Sequence, residues 1–169
     1  MPTLLHEATG RLFISDNTFR LYDPDVMQHP QDDGDFDATA TGLAALTPSG
    51  PLIVCGTHLG QVEVTAQLWD GAPSLSTESW QDIAELTTPW SGHGLEIWGE
   101  GEPEIPLPLP GPGTYRLRVH ARHRDAGEDR DEGAPVETVL LQLWPAQAAH
   151  GPPVLHKADS TTGALWREE

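Results

Sequence analysis

Cations, thiols and long apolar runs are all scarce in this chain. Of its 169 residues, one is lysine, eight are arginine and one is cysteine. A single thiol, Cys55, rules out an internal disulfide and any zinc site built on several cysteines. It lies in the apolar run Leu52-Ile53-Val54-Cys55 and reads as a small core residue. No stretch of 18 apolar residues occurs, so no membrane span is expected, and residues 1–10 carry neither the basic start nor the apolar stretch of a secretion signal. The expectation is a cytoplasmic chain. No G-x-S-x-G elbow, phosphate-binding loop, G-x-G-x-x-G or H-E-x-x-H motif occurs. The chain is therefore read as non-enzymatic, with no cofactor. Its eight histidines are scattered, and only His120 and His123 are near neighbours, at a spacing that suits no single strand face.

The charge is one-sided. Nine Lys plus Arg stand against 26 Asp plus Glu, a formal net charge of -17. Between Arg20 and Arg116 there is no cation in 95 residues, yet that window holds 15 carboxylates. Such a field repels phosphate backbones and anionic membranes, and it speeds encounter with a basic protein in a way that salt weakens. Direct nucleic-acid binding and membrane binding are thus excluded as expectations. A basic protein is the expected partner.

Glycine (17) and proline (16) cut the chain too often for long helices. What remains are short period-2 stretches. Segments 11–15 and 18–22 read as one strand bent at Ser15-Asp16-Asn17, and 23–37 as a long acidic surface loop. Further strands are expected at 52–56, at 61–69 with Val62, Val64, Ala66 and Leu68 on one face, and at 94–98. Segment 79–88 fits either helix or strand, and strand is preferred. The prolines of 103–110 confine it to an edge or an extended crossing. In 114–123, Tyr115, Leu117, Val119 and Ala121 alternate with Arg116, Arg118, His120 and Arg122, which gives one core face and one cationic face. A hairpin loop at 126–134 leads into an apolar strand at 136–144. The fold class is all-β, a single-domain β-sandwich of about seven or eight mostly antiparallel strands. Its divisions are an N-terminal extension (1–10), the sandwich (11–145) and a flexible, loosely held Pro/Ala/Gly-rich C-terminal tail (146–169) that Leu165 and Trp166 are able to dock.

A resemblance emerges from the order of these motifs. Leu12-Phe13-Ile14-Ser15-Asp16-Asn17-Thr18-Phe19-Arg20-Leu21-Tyr22-Asp23 looks like the opening strand of the competence protein J family, and Leu109-Pro110-Gly111-Pro112-Gly113-Thr114-Tyr115 is similar to that family's Leu-Pro-x-Gly-x-Tyr strand entry. Between them lie an acidic loop and Gly42-Leu43-Ala44-Ala45 in matching order, so the resemblance covers roughly residues 12–144. It implies the family's fold and, through its DNA-entry nuclease inhibitor, a role in blocking a nuclease.

Three features compete as sites. Asp32, Asp33, Asp35, Phe36 and Asp37 form a candidate contact for a basic partner, since short carboxylates on a loop pair with Arg and Lys in a nucleic-acid groove. Asp33, Asp35 and Asp37 have calcium-loop spacing, but Ala38 and Ala44 stand where such a loop needs Gly and a bidentate Glu, so no metal is assigned. Arg116, Arg118 and Arg122 are the alternative, a small-anion or ligand site, unless cross-strand carboxylates such as Glu137, Glu63 and Glu96 neutralise them. Six tryptophans include Trp69, Trp98 and Trp144 at strand ends, where they are expected to close the sandwich. The function expected is that of an acidic protein-binding module that occludes the groove of a basic nuclease or toxin.

Overall fold

A computed structural model of the protein describes residues 1–27, 36–100, 105–126, 137–146 and 152–168, and the backbone of residues 129–130. Turn residues divide the chain into extended segments that pair side to side. In chain order these are β1 (Leu4–Ser15), β2 (Thr18–Tyr22), β3 (Ala44–Thr47), β4 (Gly50–Val54), β5 (Leu59–Trp69), β6 (Asp82–Trp90), β7 (Gly94–Trp98), β8 (Ile105–Pro108), β9 (Gly113–Arg122), β10 (Asp129–Arg130), β11 (Thr138–Pro145) and β12 (Val154–Ala158), followed by helix α1 (Thr161–Glu168). All twelve strands join one sheet, in the order β12-β6-β9-β11-β5-β1-β2-β4-β3, with β7 and β8 extending from β2 and β10 beside β5. Among the described residues only β10 and β11 run parallel to their neighbour β5.

Period-2 alternation places the core. Val62, Val64, Ala66 and Leu68 of β5 are buried together with Tyr115, Leu117, Val119 and Ala121 of β9 and Val139, Leu141 and Leu143 of β11. Leu95, Ile97, Ile105 and Leu107 of the β7–β8 hairpin close over the same cluster. A Cβ on Gly10 of β1 would stand 3.0 Å from Ile105 Cγ1, which shows how closely the hairpin lies on that strand. The expected sandwich is thus a curled mixed sheet. Strand β2 is the reason, because it meets β1 at one end and bonds to both β4 and β7, so no break separates two sheets.

Several strands fall where the sequence puts them. Segment 82–90 is strand, Ile105–Pro108 pairs with β7 at an edge, and Cys55 is fully buried. Other expectations are corrected. Asp16 and Asn17, read as a bulge, have φ of 61° and 68° and make a two-residue turn between the paired Ser15 and Thr18. Residues 4–10, read as an extension, pair with β5 along their length apart from one shift in register.

The largest correction is the tail. Val154–Ala158 adds to the edge of β6, and α1 docks with Gly163 buried. Its anchors lie far away in sequence. Arg124 is almost wholly buried and reaches Asp82 Oδ2 at 2.6 Å, the Gly42 carbonyl at 2.8 Å and the Val54 carbonyl at 2.9 Å. Asp82 in turn accepts hydrogen bonds from the Ser160 backbone and hydroxyl. The neighbouring Asp125 caps α1 by accepting from Thr161 N at 2.9 Å and Thr162 N at 2.8 Å. Glu137 at the entry to β11 is buried too, and accepts from Gly56 N, Thr57 N and Thr57 Oγ1. Gly56 has no substitute, since a Cβ there would overlap the Arg124 carbonyl.

Replacing Arg124→Leu strands Asp82 without its counter-ion and should cost about 3–5 kcal/mol of folding stability. Urea unfolding followed by tryptophan fluorescence measures it. A loss below about 1 kcal/mol would mean that Asp82 is not held as a buried charge.

Candidate functional site

The cationic face of β9 forms as expected but is not open. Register brings Glu85 of β6 opposite Arg118. Arg116 Nε donates to Glu85 Oε2 at 2.7 Å, and Arg118 Nε donates to Glu85 Oε1 at 2.9 Å. Burial alone would raise the Glu85 carboxyl, but hydrogen bonds from Arg116, Arg118 and His156 hold it below its usual range. The neutralising carboxylate is therefore Glu85, not Glu137, Glu63 or Glu96. Glu137 is committed to Gly56 and Thr57, and Glu96 accepts from the Tyr22 hydroxyl at 2.5 Å. Segment 71–81 covers what remains. Arg118 donates to the Pro73 carbonyl and lies 4.9 Å from the Trp144 ring centroid, and Arg122 lies 4.9 Å from that of Trp80. Trp80 also packs on His120, which is 3% exposed.

The acidic end is assembled differently. Asp32, Asp33 and Asp35 lie outside the described residues. Phe36 stacks on Trp166 of α1 with ring centroids 5.7 Å apart, and both pack on a small second core with Ala38, Ala45, Leu52 and Val54. Asp37 is exposed and accepts from Thr39 N and Thr39 Oγ1, which hold its carboxyl below the usual range. On the upstream side of the segment, residues 23–27 turn back on themselves, with Val26 N and Met27 N donating to the Asp23 carbonyl. Beside this turn is a cavity of about 300 Å³ lined by Asp23, Val26, Met27, residues 46–50 and residues 88–91. Sequence reading missed it. Nothing in the local pattern joins residue 23 to residues 46–50 and 88–91, which meet only through the curl of the sheet.

What these elements define as a class is an all-β protein made of one curled mixed sheet with a docked C-terminal helix. Among solved structures, the chain is similar to ComJ of Bacillus subtilis, inhibitor of the DNA degrading activity of NucA, with a TM-score of 0.62 and 13% identity over 86% of this chain and 99% of that one. It is also similar to the protein described as crocagin biosynthetic gene J, with a TM-score of 0.50 and 18% identity over 84% of this chain and 98% of that one. No protein-family model and no curated protein matches the sequence. The fold is thus that of ComJ, in agreement with the resemblance carried by the strand motifs. No helix among the described residues is long and apolar enough to cross a membrane.

Burial pushes the His120 imidazole down from 6.5 to about 4, with Arg118 nearby acting in the same sense and the Leu140 carbonyl and Glu85 opposing. An unfolded chain takes up this proton near pH 6.5 and the folded one resists it, so stability is lost as pH falls from 6.5 towards 4. The loss attributable to His120 is on the order of 3 kcal/mol across that window. His120→Gln should flatten the slope when urea midpoints are compared at pH 7 and pH 4. An unchanged slope would place the acid sensitivity elsewhere.

Proposed function

We propose that this chain is a non-enzymatic protein-binding module that inhibits a basic nuclease by covering its nucleic-acid groove. The observation that carries the reading is the shared fold with ComJ, which inhibits the DNA degrading activity of NucA. The charge of -17 supports it, because an anionic surface is steered to a groove that evolved to hold phosphates. The contact is assigned to the acidic segment, with Asp32, Asp33, Asp35 and Asp37 as the charges. Phe36, stacked on Trp166, fixes the downstream end of that segment to the folded body. The alternative, a small-anion site on Arg116, Arg118 and Arg122, is disfavoured by their engagement with Glu85, Trp144 and Trp80.

The test is DNA degradation by NucA, and by the secreted or membrane-bound nucleases of the source organism, with the chain added at rising molar ratio. Near-stoichiometric inhibition that weakens in high salt is expected for at least one of them. Changing Asp32, Asp33, Asp35 and Asp37 together to Asn should slow association about tenfold at low salt and leave the melting temperature unmoved. If no nuclease is slowed at any ratio, the reading fails.

A further inference from the structure

Asp23, in the wall of the cavity beside the 23–27 turn, has a buried carboxylate oxygen with no hydrogen-bond partner among the described residues. Asp23 is 7% exposed, its Oδ1 accepts from Asp25 N at 2.9 Å, and its Oδ2 is buried with no hydrogen-bond partner among the described residues. Buried polar atoms are nearly always paired, and an unpaired carboxylate oxygen is among the costliest to leave bare. A second carboxylate is held against it. A Cβ on Gly92 would meet Asp25 Oδ2 at 2.6 Å and Asp23 Oδ2 at 2.9 Å, so both acids crowd one point that only glycine leaves open. Asp25 is kept there by His93 N, which donates to its Oδ2 at 3.3 Å. A cation at the Asp23 end of the cavity relieves the cost of the unpaired oxygen, and the neighbouring Asp25 adds to the local negative potential.

The walls decide which cation. No group of three or more His, Cys, Asp or Glu side chains able to hold a metal occurs among the described residues, and two carboxylates fall short of the six to eight oxygens that calcium takes. Val26, Met27, Leu46 and Trp90 line the cavity instead, together with four serine and threonine residues able to bond to a guanidinium's outer N–H groups or to water. Apolar and aromatic walls with acid at one point suit a flat, weakly hydrated guanidinium on an aliphatic stem better than a compact ammonium. At about 300 Å³ the space admits a whole arginine side chain with room for water beside it. We propose that this cavity receives an arginine side chain of the partner protein, with Asp23 as its counter-ion. The proposal rests on the reading of the chain as a protein-binding module, and it gives that contact a buried anchor in addition to long-range steering.

Arginine amide is the probe, titrated into isotopically labelled protein while the Trp90 indole N–H, the Met27 methyl and the Thr47 and Thr88 amides are followed by NMR. Saturable shifts confined to these groups are expected. Citrulline amide, which has the shape without the charge, should give none, and lysine amide should bind more weakly. Asp23→Asn keeps the acceptor for Asp25 N and should weaken binding at least about thirtyfold. Leu46→Trp, on an exposed strand position, should fill the cavity and abolish binding without touching either acid. Shifts that stay linear to the solubility limit, or equal binding of citrulline amide, overturn the proposal, and lysine amide binding as tightly overturns the choice of arginine. Nuclease assays separate this result from the inhibitor reading. Inhibition that survives intact in both variants sinks the anchor alone, whereas arginine amide binding without inhibition of any nuclease sinks the inhibitor reading alone.

Discussion

The guanidinium of Arg124 is where the parts of the chain are tied together. It bonds to Asp82 at the start of β6, to the Gly42 carbonyl before β3 and to the Val54 carbonyl at the end of β4, while Asp82 holds Ser160 at the mouth of α1. A buried ion pair adds little net stability over well-packed apolar groups, because desolvation offsets the attraction. Its weight is in direction. Apolar burial of β5, β9 and β11 supplies most of the driving force but accepts many arrangements at its margins. The two terminal nitrogens of a planar guanidinium, bonded to Asp82, Ser160 and the Gly42 and Val54 carbonyls, accept few, so Arg124 helps set where the last strand and helix come to rest. Trp166 then meets Phe36, so the position of residue 36 depends on an arginine 88 residues further along the chain.

This explains which features were readable. Strands β5 and β9 announce themselves by alternation, since one face of each enters the core and the period survives in the sequence, and β11 by its apolar run. Residues 154–168 announce little beyond Trp166, whose docking the sequence does suggest. Val154 and Leu165 are exposed, only Gly163 of α1 is buried, and the groups that hold the segment, Arg124, Asp125 and Asp82, lie more than thirty residues upstream. Long-range polar anchoring leaves no local pattern. The β9 strip is the intermediate case. Its alternation predicts two faces correctly, but the identity of the neutralising acid depends on the register between β6 and β9, and only there does Glu85 come opposite Arg118. The covering segment 71–81 adds a further layer, with Trp80 and Pro73 turning a face expected to be cationic into a second buried one. The sandwich was misjudged for a similar reason, since one strand, β2, serving two neighbours is invisible in its own five residues.

Burial also sorts the charges. Four of the nine cations, Arg116, Arg118, Arg122 and Arg124, are taken into packed surroundings, and among the described residues the carboxylates that balance them directly are Asp82 and Glu85. Aromatic faces take the remainder, with Arg118 against Trp144 and Arg122 against Trp80. Aspartates and glutamates such as Asp25, Asp37, Asp70, Glu78 and Glu100 are left on the outside. Asp23, Asp82, Glu85 and Glu137 are taken in alongside these four arginines, so the exterior keeps the net negative charge of the composition. A general acidic exterior accelerates encounter but discriminates poorly between basic partners. Discrimination needs a place where a charge is met away from bulk water and geometry is strict, and the buried Asp23 carboxylate in the wall of a partly apolar cavity is the place in the described structure that answers to this.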